Sequence, residues 1–345
     1  MSKLYDAAVF IGRFQPLHNA HLEVMEKAAK IADKLIIIVG SADQPRSFKN
    51  PFTTEERIHK MIVPALLGNP DINVEFATNV DTMYDDEAWV LRVQKLVESH
   101  TKEGDRIAIV GAQKDEETAR YLAMFPQWEY HGLPLLEILS ATNIRDLYFS
   151  DDYNQGYLSG VVPRTTLSWL NKFRDTEEYA QIVRERKFIE TYKRQYEHLP
   201  YPPVFLTVDA VVVQAGHVLL VKRRSEPGKG LWALPGGFFD AAKDVSTQTA
   251  MVRELKEETK IDLPVKVING SIRSHKIFDA KERSARGRTV TVAYHIGLSD
   301  GEWNLPKVKG SDDAEKARWV PLNEVRRQDM FEDHFDILNH FINLV

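Results

Sequence analysis

The segment of residues 12–22, Gly-Arg-Phe-Gln-Pro-Leu-His-Asn-Ala-His-Leu, constrains this chain most. Residues 7–11 before it form a short apolar run, which is typical of a strand buried in a parallel sheet. After it, Leu22, Met25 and Ala29 recur at helical spacing. His21 is therefore predicted in the first turn of a helix, with His18 in the turn before it. Backbone N–H groups and the helix dipole favour anions there, so the segment predicts a phosphate site.

Length and composition restrict the class of protein. A chain of 345 residues with 43% hydrophobic residues is long enough for two domains. It has no apolar run of membrane-spanning length and no secretion signal, and it has no cysteine, so we expect a cytoplasmic protein without disulfides or thiolate metal sites. The net charge of −5, with the two signs mixed, argues against nucleic acid or a membrane as a partner. Any anionic ligand must be bound by local cations.

The first half alternates apolar runs with helical patterns, which predicts a doubly wound parallel sheet. The predicted strands are residues 7–11, 34–39, 74–77, 106–110 and 129–131, and helices are predicted at 54–67 and 88–100. Ligands bind such sheets at the carboxyl ends of the strands. The segments that follow those ends hold side chains suited to a nucleotide: Arg13, His18, His21, Lys49, Asn50, Arg57, Lys114, Asp115, Ser140, Thr142 and Arg145.

Residues 12–22 resemble the signature of the nucleotidylyltransferases that share a histidine-x-x-histidine phosphate motif. Together with residues 49–53, Trp89 and residues 140–145, they resemble the archaeal-type nicotinamide mononucleotide (NMN) adenylyltransferases. This resemblance implies a Rossmann-like domain that transfers AMP from ATP to NMN, giving NAD and pyrophosphate. An acceptor such as pantetheine phosphate or a riboflavin phosphate is the alternative.

The same resemblance implies the roles of individual residues. His18, His21 and Arg145 would stabilise charge on the reacting phosphates, with Mg²⁺ or Mn²⁺ bridging them and no covalent nucleophile. Trp89 would stack on the nicotinamide ring or, equally, serve as an apolar anchor, and Asp81 is predicted as a turn residue. The remaining substrate-binding candidates are Gly12, Arg13, Phe14, Lys49, Asn50, Gly111, Lys114, Asp115, Ser140 and Thr142.

The composition of the sequence changes at residues 151–203, which predicts a domain boundary. This segment is a polar turn followed by charged helical sequence, and it ends in the proline-rich residues 199–203, which break a helix. We predict a nucleotidylyltransferase domain at 1–150, a helical extension and linker at 151–203, and a second domain at 204–345. The charged helices could also form the contact of a homo-oligomer.

The second half predicts strands at residues 204–213, 217–222, 289–297 and 317–321 and near 265–272, with helices at 244–259 and 332–344. In the first of these helices, Glu254, Glu257 and Glu258 project from one face. Carboxylates in this arrangement suit Mg²⁺ or Mn²⁺, although a solvated helix face is the alternative.

Residues 231–238, followed by Arg253-Glu254-Leu255-Lys256-Glu257-Glu258, resemble the Nudix hydrolase box. The resemblance implies an α/β/α domain with a mixed sheet, metal ligands Glu254, Glu257 and Glu258, and catalysis by the last two. The segment before Arg253 is two residues longer than the family pattern. A glutamate is expected at Lys243 when counted from Gly237, and at Asp244-Val245 when counted back from Arg253. Lys260 replaces a glycine. Arg253 is expected to brace the box by pairing with an acidic residue, for which only Asp244 is near.

Residues 278–289, with Arg283, Arg286 and Arg288, resemble a segment of the Nudix enzymes that act on ADP-ribose, and a guanidinium cluster fits a diphosphate. A mixed-charge surface loop is the alternative. Asp312, Asp313 and Glu315 offer a general base or a plain turn.

The whole chain thus resembles the bifunctional NMN adenylyltransferase/Nudix hydrolases, which would make NAD and split ADP-ribose into AMP and ribose 5-phosphate. The departures at Lys243 and Lys260 also allow a second half that only senses a nucleotide.

Overall fold

The chain divides into two compact units, Met1–Val183 and Arg184–Val345. The computed structural model describes residues 3–69, 72–111, 123–134, 139–298, 304–309 and 314–344. The first unit includes the beginning of the segment that we predicted as a linker, because Leu158, Leu170 and Ile182 belong to its core. Among the described residues, no helix is long and apolar enough to cross a membrane.

A parallel sheet forms the centre of the first unit. Its described strands are β1 (Tyr5–Gly12), β2 (Ala32–Val39), β3 (Val74–Thr78), β4 (Ile107–Gly111) and β5 (Glu129–Gly132). Their order is β3-β2-β1-β4-β5, and every pair is parallel. This confirms the predicted doubly wound sheet.

Helices cover both faces of this sheet. Successive side chains of a strand point to opposite faces, and those of β1 alternate between two apolar clusters: Ala8 and Phe10 in one, Ala7 and Val9 in the other. The helical segments are α1 (Asn19–Ile31), a π-helical segment (Glu56–Ile62) that continues as α2 (Val63–Leu66), α3 (Asp86–Glu98), α4 (Ala141–Tyr148), α5 (Gln155–Val161), α6 (Arg164–Phe173) and α7 (Glu177–Arg194), the last of which runs into the second unit.

The second unit is built on a mixed sheet, as predicted. Its main order is β10-β11-β6-β7-β12, with β8 paired to β7 and β9 to β6. The β11–β6 pair is parallel and the other pairs are antiparallel. The strands are β6 (Phe205–Gln214), β7 (His217–Arg223), β8 (Trp232–Ala233), β9 (Gly236–Phe238), β10 (Ile272–Phe278), β11 (Thr289–Gly297) and β12 (Ala314–Pro321), and the helices are α8 (Thr247–Thr259), α9 (Val265–Gly270) and α10 (His334–Ile342).

The strand predicted near residues 265–272 is wrong. This stretch is helix α9, and strand β10 begins only at Ile272. Pro264 precedes the helix in an extended conformation, where its missing N–H costs nothing. Within this helix, Val265 and Val267 are exposed, and Ile268 is buried in the core.

Candidate active sites

The two histidines of the first motif lie ring on ring at the start of α1. Their centroids are 3.5 Å apart and their planes are 18° from parallel. The carbonyl of His18 accepts hydrogen bonds from the backbone N–H groups of His21 and Leu22, so His18 begins the helix. His18 is buried and His21 is half-buried. The prediction that both rings face the same place at a helix N-terminus therefore agrees with the geometry.

Gly12 and Phe14 support the histidines through packing. Phe14 adopts a left-handed backbone conformation, with φ of 53°, and its ring lies where a side chain at Gly12 would be, 2.7 Å from the position of a Cβ. The same ring packs edge-on against His21 at 5.0 Å. We predicted a substrate contact for Phe14. Its side chain is only 1% exposed, so it positions His21 from within the core instead.

Arg145 reaches the turn after β1 from helix α4. Its Nη1 donates to the carbonyl of Gln15 at 2.7 Å, and its Nη2 donates to the hydroxyl of Thr142 at 3.2 Å. Burial, together with the nearby charge of Arg13, lowers the pKa of Arg145 to about 10. Two close guanidinium groups repel each other, so an anion bound between them would relieve that repulsion. A phosphate bound by both Arg13 and Arg145 stays a prediction, and the proximity of the two charges is consistent with it.

Arg57 and Gln15 fix the turns of this site, a role that the sequence did not reveal. Arg57 is 1% exposed, and its guanidinium donates to the carbonyls of Arg13, Gly40 and Ser41 at 2.7, 2.6 and 3.0 Å. Burial lowers its pKa to about 10. The amide of Gln15 donates to the carbonyl of Phe52 and accepts from the N–H of the same residue. These side chains join the ends of β1 and β2 to the segment around Phe52.

The remaining residues that we predicted for the first site lie on several different elements and turns. Ser140 caps helix α4 by accepting from the N–H of Asn143, and the N–H of Asn50 donates to the hydroxyl of Ser47 in a turn beside exposed Lys49. Trp89 is half-buried against the ring of Phe125 at 5.9 Å, which fits the apolar anchor, and its stacking role stays a prediction. The carboxylate of Asp81 accepts from the N–H of Ser41, as a turn residue would. Gly111 ends β4, and Lys114 and Asp115 lie outside the described residues.

The second unit encloses a cavity of about 360 Å³. Its wall combines carboxylates and arginines with apolar side chains. The lining includes Asp209, Arg223, Phe238, Glu254, Glu258, Arg283, Arg286, Glu332 and His334. Strand β9, the start of β6 and helix α8 therefore meet at this cavity, as the predicted Nudix box requires.

Two of the three predicted metal carboxylates face the cavity. Burial raises the pKa of Glu254, and it raises that of Glu258 to about 8. Glu258 accepts a hydrogen bond from the N–H of Gly236 at 2.9 Å. A Cβ at Gly236 would lie 2.2 Å from the carbonyl oxygen of Val208, so only glycine fits there, and a Cβ at Gly237 would displace the carboxylate of Glu254. Glu257 instead turns to Arg253 at 3.0 Å. Within the described parts of the chain, no group of three acidic or histidine side chains is placed to hold a metal ion. A cation would nevertheless suit Glu254 and Glu258, because it favours the charged form that burial penalises.

Arg253 braces the box through the residue that replaces the usual glutamate. Its Nε and Nη2 donate to the two carboxylate oxygens of Asp244 at 2.9 and 2.7 Å. These hydrogen bonds lower the pKa of Asp244 to about 2. Arg253 also donates to Glu254 at 2.8 Å. Lys243 is exposed and pairs with Asp240. The two extra residues of this segment therefore do not prevent the predicted pairing of Arg253 with an acidic residue.

The three predicted diphosphate arginines have different environments. Arg283 lines the cavity, but it forms a buried bidentate ion pair with Asp333 at 2.9 and 3.0 Å. Arg288 donates to the carbonyl of Asp279, and it does not line the cavity. Arg286 lines the cavity, and among the described residues none forms a hydrogen bond with its guanidinium. Of the three side chains, that of Arg286 is the one placed to meet a diphosphate.

Sequence reasoning missed several residues of this cavity wall, among them Arg223, Glu332 and His334. The ring of His334 is buried, accepts the N–H of Leu234 at 3.0 Å, and has its pKa lowered by burial to about 3. The sequence near residue 334 contains no motif that predicts a role for Glu332 or His334. Of the predicted base candidates, Asp312 and Asp313 lie outside the described residues, as does the side chain of Glu315.

Known proteins resemble both units. Residues 9–78 match the cytidylyltransferase-like family, and residues 204–341 match the NUDIX domain. The chain is 36% identical to a nicotinamide/nicotinic acid mononucleotide adenylyltransferase of Acinetobacter baylyi, over 52% of this chain and 92% of that protein. It is 30% identical to an ADP-ribose pyrophosphatase of Methanocaldococcus jannaschii, over 48% of this chain and 86% of that protein.

One solved structure covers almost the whole chain. It is a bifunctional NMN adenylyltransferase/ADP-ribose pyrophosphatase from Francisella tularensis, complexed with AMP and a manganese ion. It is 34% identical to this chain, with a TM-score of 0.87, and the match covers 98% of this chain and 99% of that one. With a phosphate-type histidine pair in one unit and a braced carboxylate box in the other, this chain belongs to the family of bifunctional NMN adenylyltransferase/Nudix hydrolase enzymes.

Proposed function

We propose that this chain makes NAD at one site and hydrolyses ADP-ribose at the other. The first reaction transfers AMP from ATP to NMN and releases pyrophosphate, and the second gives AMP and ribose 5-phosphate. We assign the first reaction to residues 1–150 and the second to residues 204–345, with 151–203 joining them. The match to both halves of one bifunctional structure, over 98% of this chain, is the observation that carries the proposal.

In the first site, the side chains act by binding and orienting phosphates. His18 and His21 lie at the N-terminus of α1, where the helix dipole favours the triphosphate. Arg145 is held by Gln15 and Thr142, so it meets the phosphates in a fixed orientation. Such pre-positioned charge lowers the barrier of phosphoryl-type transfer without a covalent step.

In the second site, Glu254 and Glu258 would hold the divalent ion, which we propose to be Mg²⁺. When bound, such an ion neutralises charge that develops on the diphosphate. Arg253 and Asp244 keep the box in place, while Gly236 and Gly237 let strand β9 approach the carboxylates. Arg286 lines the same cavity and would bind the diphosphate.

Product analysis tests both activities on the wild-type chain. ATP and Mg²⁺ with NMN should yield NAD, and exchange for pantetheine phosphate or riboflavin phosphate should yield no adenylylated product. ADP-ribose and Mg²⁺ should yield equal amounts of AMP and ribose 5-phosphate. If no NAD forms, the assigned acceptor is wrong; if ADP-ribose binds in a calorimeter but stays intact, the second half is a sensor.

A further inference from the structure

Residues 184–203 belong to the second compact unit, although the match to the NUDIX domain begins only at residue 204. They contain the end of helix α7 and the proline-rich segment that follows it. Tyr192, near the end of the helix, and Tyr196, one turn later, are half-buried, whereas the other residues of 191–200 are exposed. Two aromatic side chains of this segment therefore pack against the unit instead of facing the solvent.

Both tyrosines pack on Phe205, the first residue of strand β6. The ring centroids of Tyr192 and Tyr196 lie 5.8 and 5.0 Å from that of Phe205, and both pairs are edge-to-face. The two tyrosine rings are themselves 5.5 Å apart. Aromatic rings attract each other at such distances and angles. The three rings thus form one cluster, which fixes the side chain of Phe205.

Phe205 also contacts residues 286–288, which include Arg286 of the cavity wall. Its N–H donates to the carbonyl of Arg288 at 2.8 Å, and its ring lies 3.5 Å from the position that a Cβ of Gly287 would take. Gly287 has φ of 142°, which residues with a Cβ rarely adopt. Because glycine has access to many backbone conformations, its own preference does not fix this segment. Packing against Phe205 is therefore what holds residues 286–288 in place.

Arg286 is the residue through which this packing reaches the cavity. Burial and the hydrogen bond with Tyr196 raise the pKa of Tyr192 to about 12, and the charge of Arg286, which lies near enough to act on Tyr192, opposes that rise. Among the described residues that line the cavity, Arg286 is included but Tyr192, Tyr196 and Phe205 are not. A ligand would therefore meet Arg286, and the tyrosines can affect it only through the position of that arginine.

We propose that Tyr192 and Tyr196 are positioning residues of the hydrolase site. Packed on Phe205, they fix residues 286–288 and so hold Arg286 where it meets the diphosphate. A guanidinium that is already in place loses less freedom when it binds an anion, so its affinity is higher. This inference rests on the proposed hydrolysis of ADP-ribose, and it extends the hydrolase to residues that precede the NUDIX match.

Kinetic constants for ADP-ribose hydrolysis by the full chain test this role. Tyr192→Ala and Tyr196→Ala should each raise KM about tenfold and leave kcat within about twofold, because Arg286 binds the diphosphate in the substrate and in the transition state alike. Tyr196→Phe keeps the ring and should keep the wild-type KM. Tyr201→Ala, at a side chain 81% exposed, is the control, and adenylyl transfer by every variant should stay the same.

A second background separates positioning from a general structural role. In a chain with Arg286→Ala, Tyr196→Ala should raise KM no further, because two residues that act through the same contact do not have additive effects. A further rise in KM in that background would overturn the proposal. An unchanged KM for Tyr196→Ala alone, or a fall in kcat without a rise in KM, would overturn it as well.

Tyr196→Leu keeps most of the buried volume and gives the same test, with a smaller expected rise in KM, if the alanine variant does not fold. Should the wild-type chain release no AMP from ADP-ribose, the proposed hydrolysis fails. Calorimetric titration of ADP-ribose into wild-type and Tyr196→Leu protein then decides on the positioning role alone. Weaker binding by the variant is the expected result, and equal binding would contradict the role.

Discussion

The two sites of this chain bury opposite charges. In the first unit, Arg57 and Arg145 are buried near Arg13, and burial lowers the pKa of each to about 10. In the second unit, Glu254 and Glu258 are buried together, and burial raises the pKa of Glu258 to about 8. Each site thus holds an excess of the charge that its proposed ligand neutralises: phosphates in the first and a divalent cation in the second.

The way in which the charges are fixed also differs. Main-chain carbonyls hold the arginines of the first site, so the ends of strands β1 and β2 determine their positions. Side-chain ion pairs hold the second site, where Arg253 links Asp244 to Glu254. Carbonyl contacts depend on the fold alone, whereas ion pairs depend on protonation and salt. The second site should therefore be the more sensitive of the two to solution conditions.

The largest expected effect comes from changing one proposed catalytic side chain in each site. His21→Ala should lower adenylyl transfer by about a hundredfold, because a group that stabilises the transition state is lost. Glu258→Gln should lower ADP-ribose hydrolysis by about 10²–10³-fold, since a metal carboxylate is worth several kcal/mol in the transition state. Rates of both reactions are measured for each variant, with Glu197→Gln as an exposed control. Loss of both activities in either variant would contradict two autonomous sites.

A smaller effect tests whether Arg57 is a fixed part of the first unit's structure. Arg57→Met keeps much of the side-chain length but leaves the carbonyls of Arg13, Gly40 and Ser41 without this donor. Buried acceptors without partners should cost about 3 kcal/mol in the free energy of unfolding. Denaturant unfolding, followed by a probe in the first unit, measures this loss. Matched replacement of exposed Lys60 by Met should leave stability within about 0.5 kcal/mol.

Arg57 also shows where sequence reasoning reaches its limit. The five strands and the histidine turn could be predicted, because apolar runs and a glycine turn are local signals. Whether an arginine binds a ligand or stabilises the fold depends on residues that are far from it in the sequence. Carbonyls 16 to 44 residues away bind Arg57, and a carbonyl 130 residues away binds Arg145, so neither contact could be predicted from the neighbouring sequence. Likewise, Arg283 and Arg286 are only three positions apart in sequence. Asp333, 50 residues after Arg283, forms the ion pair that gives Arg283 a structural role.

The stability of the second unit should depend on pH through the buried ring of His334. Burial lowers the pKa of His334 from 6.5 to about 3 in the folded chain, so the unfolded chain binds more protons between these values. Stability from the neutral ring is complete above pH 6.5 and falls as the pH drops toward 3. Between pH 6.5 and about pH 5 the loss of this contribution should be about 2 kcal/mol. The raised pKa of Glu258 adds stability as the pH falls over the same range, so the loss is obtained by comparison with a variant that lacks the ring. Unfolding measured at both values checks this.

His334→Asn provides the matched variant for that measurement. Its amide oxygen can accept the N–H of Leu234, as the Nδ1 of His334 does, but it does not titrate. The variant should lose less stability than the wild-type chain over the same pH range. An equal loss in both proteins would assign the acid sensitivity to other groups.

The smallest expected effect concerns Lys260, one of the departures from the Nudix pattern. Lys260 ends helix α8 in the left-handed conformation, with φ of 47° and ψ of 34°, which glycine adopts at less cost than any residue with a Cβ. Lys260→Gly should therefore raise the free energy of unfolding of the second unit by about 1 kcal/mol. Gln248→Gly, within the same helix, should lower it by about as much. Because Lys260 is exposed and does not line the cavity, the rate of ADP-ribose hydrolysis should stay the same. A change in that rate would show that the departure at Lys260 affects catalysis as well as the end of the helix.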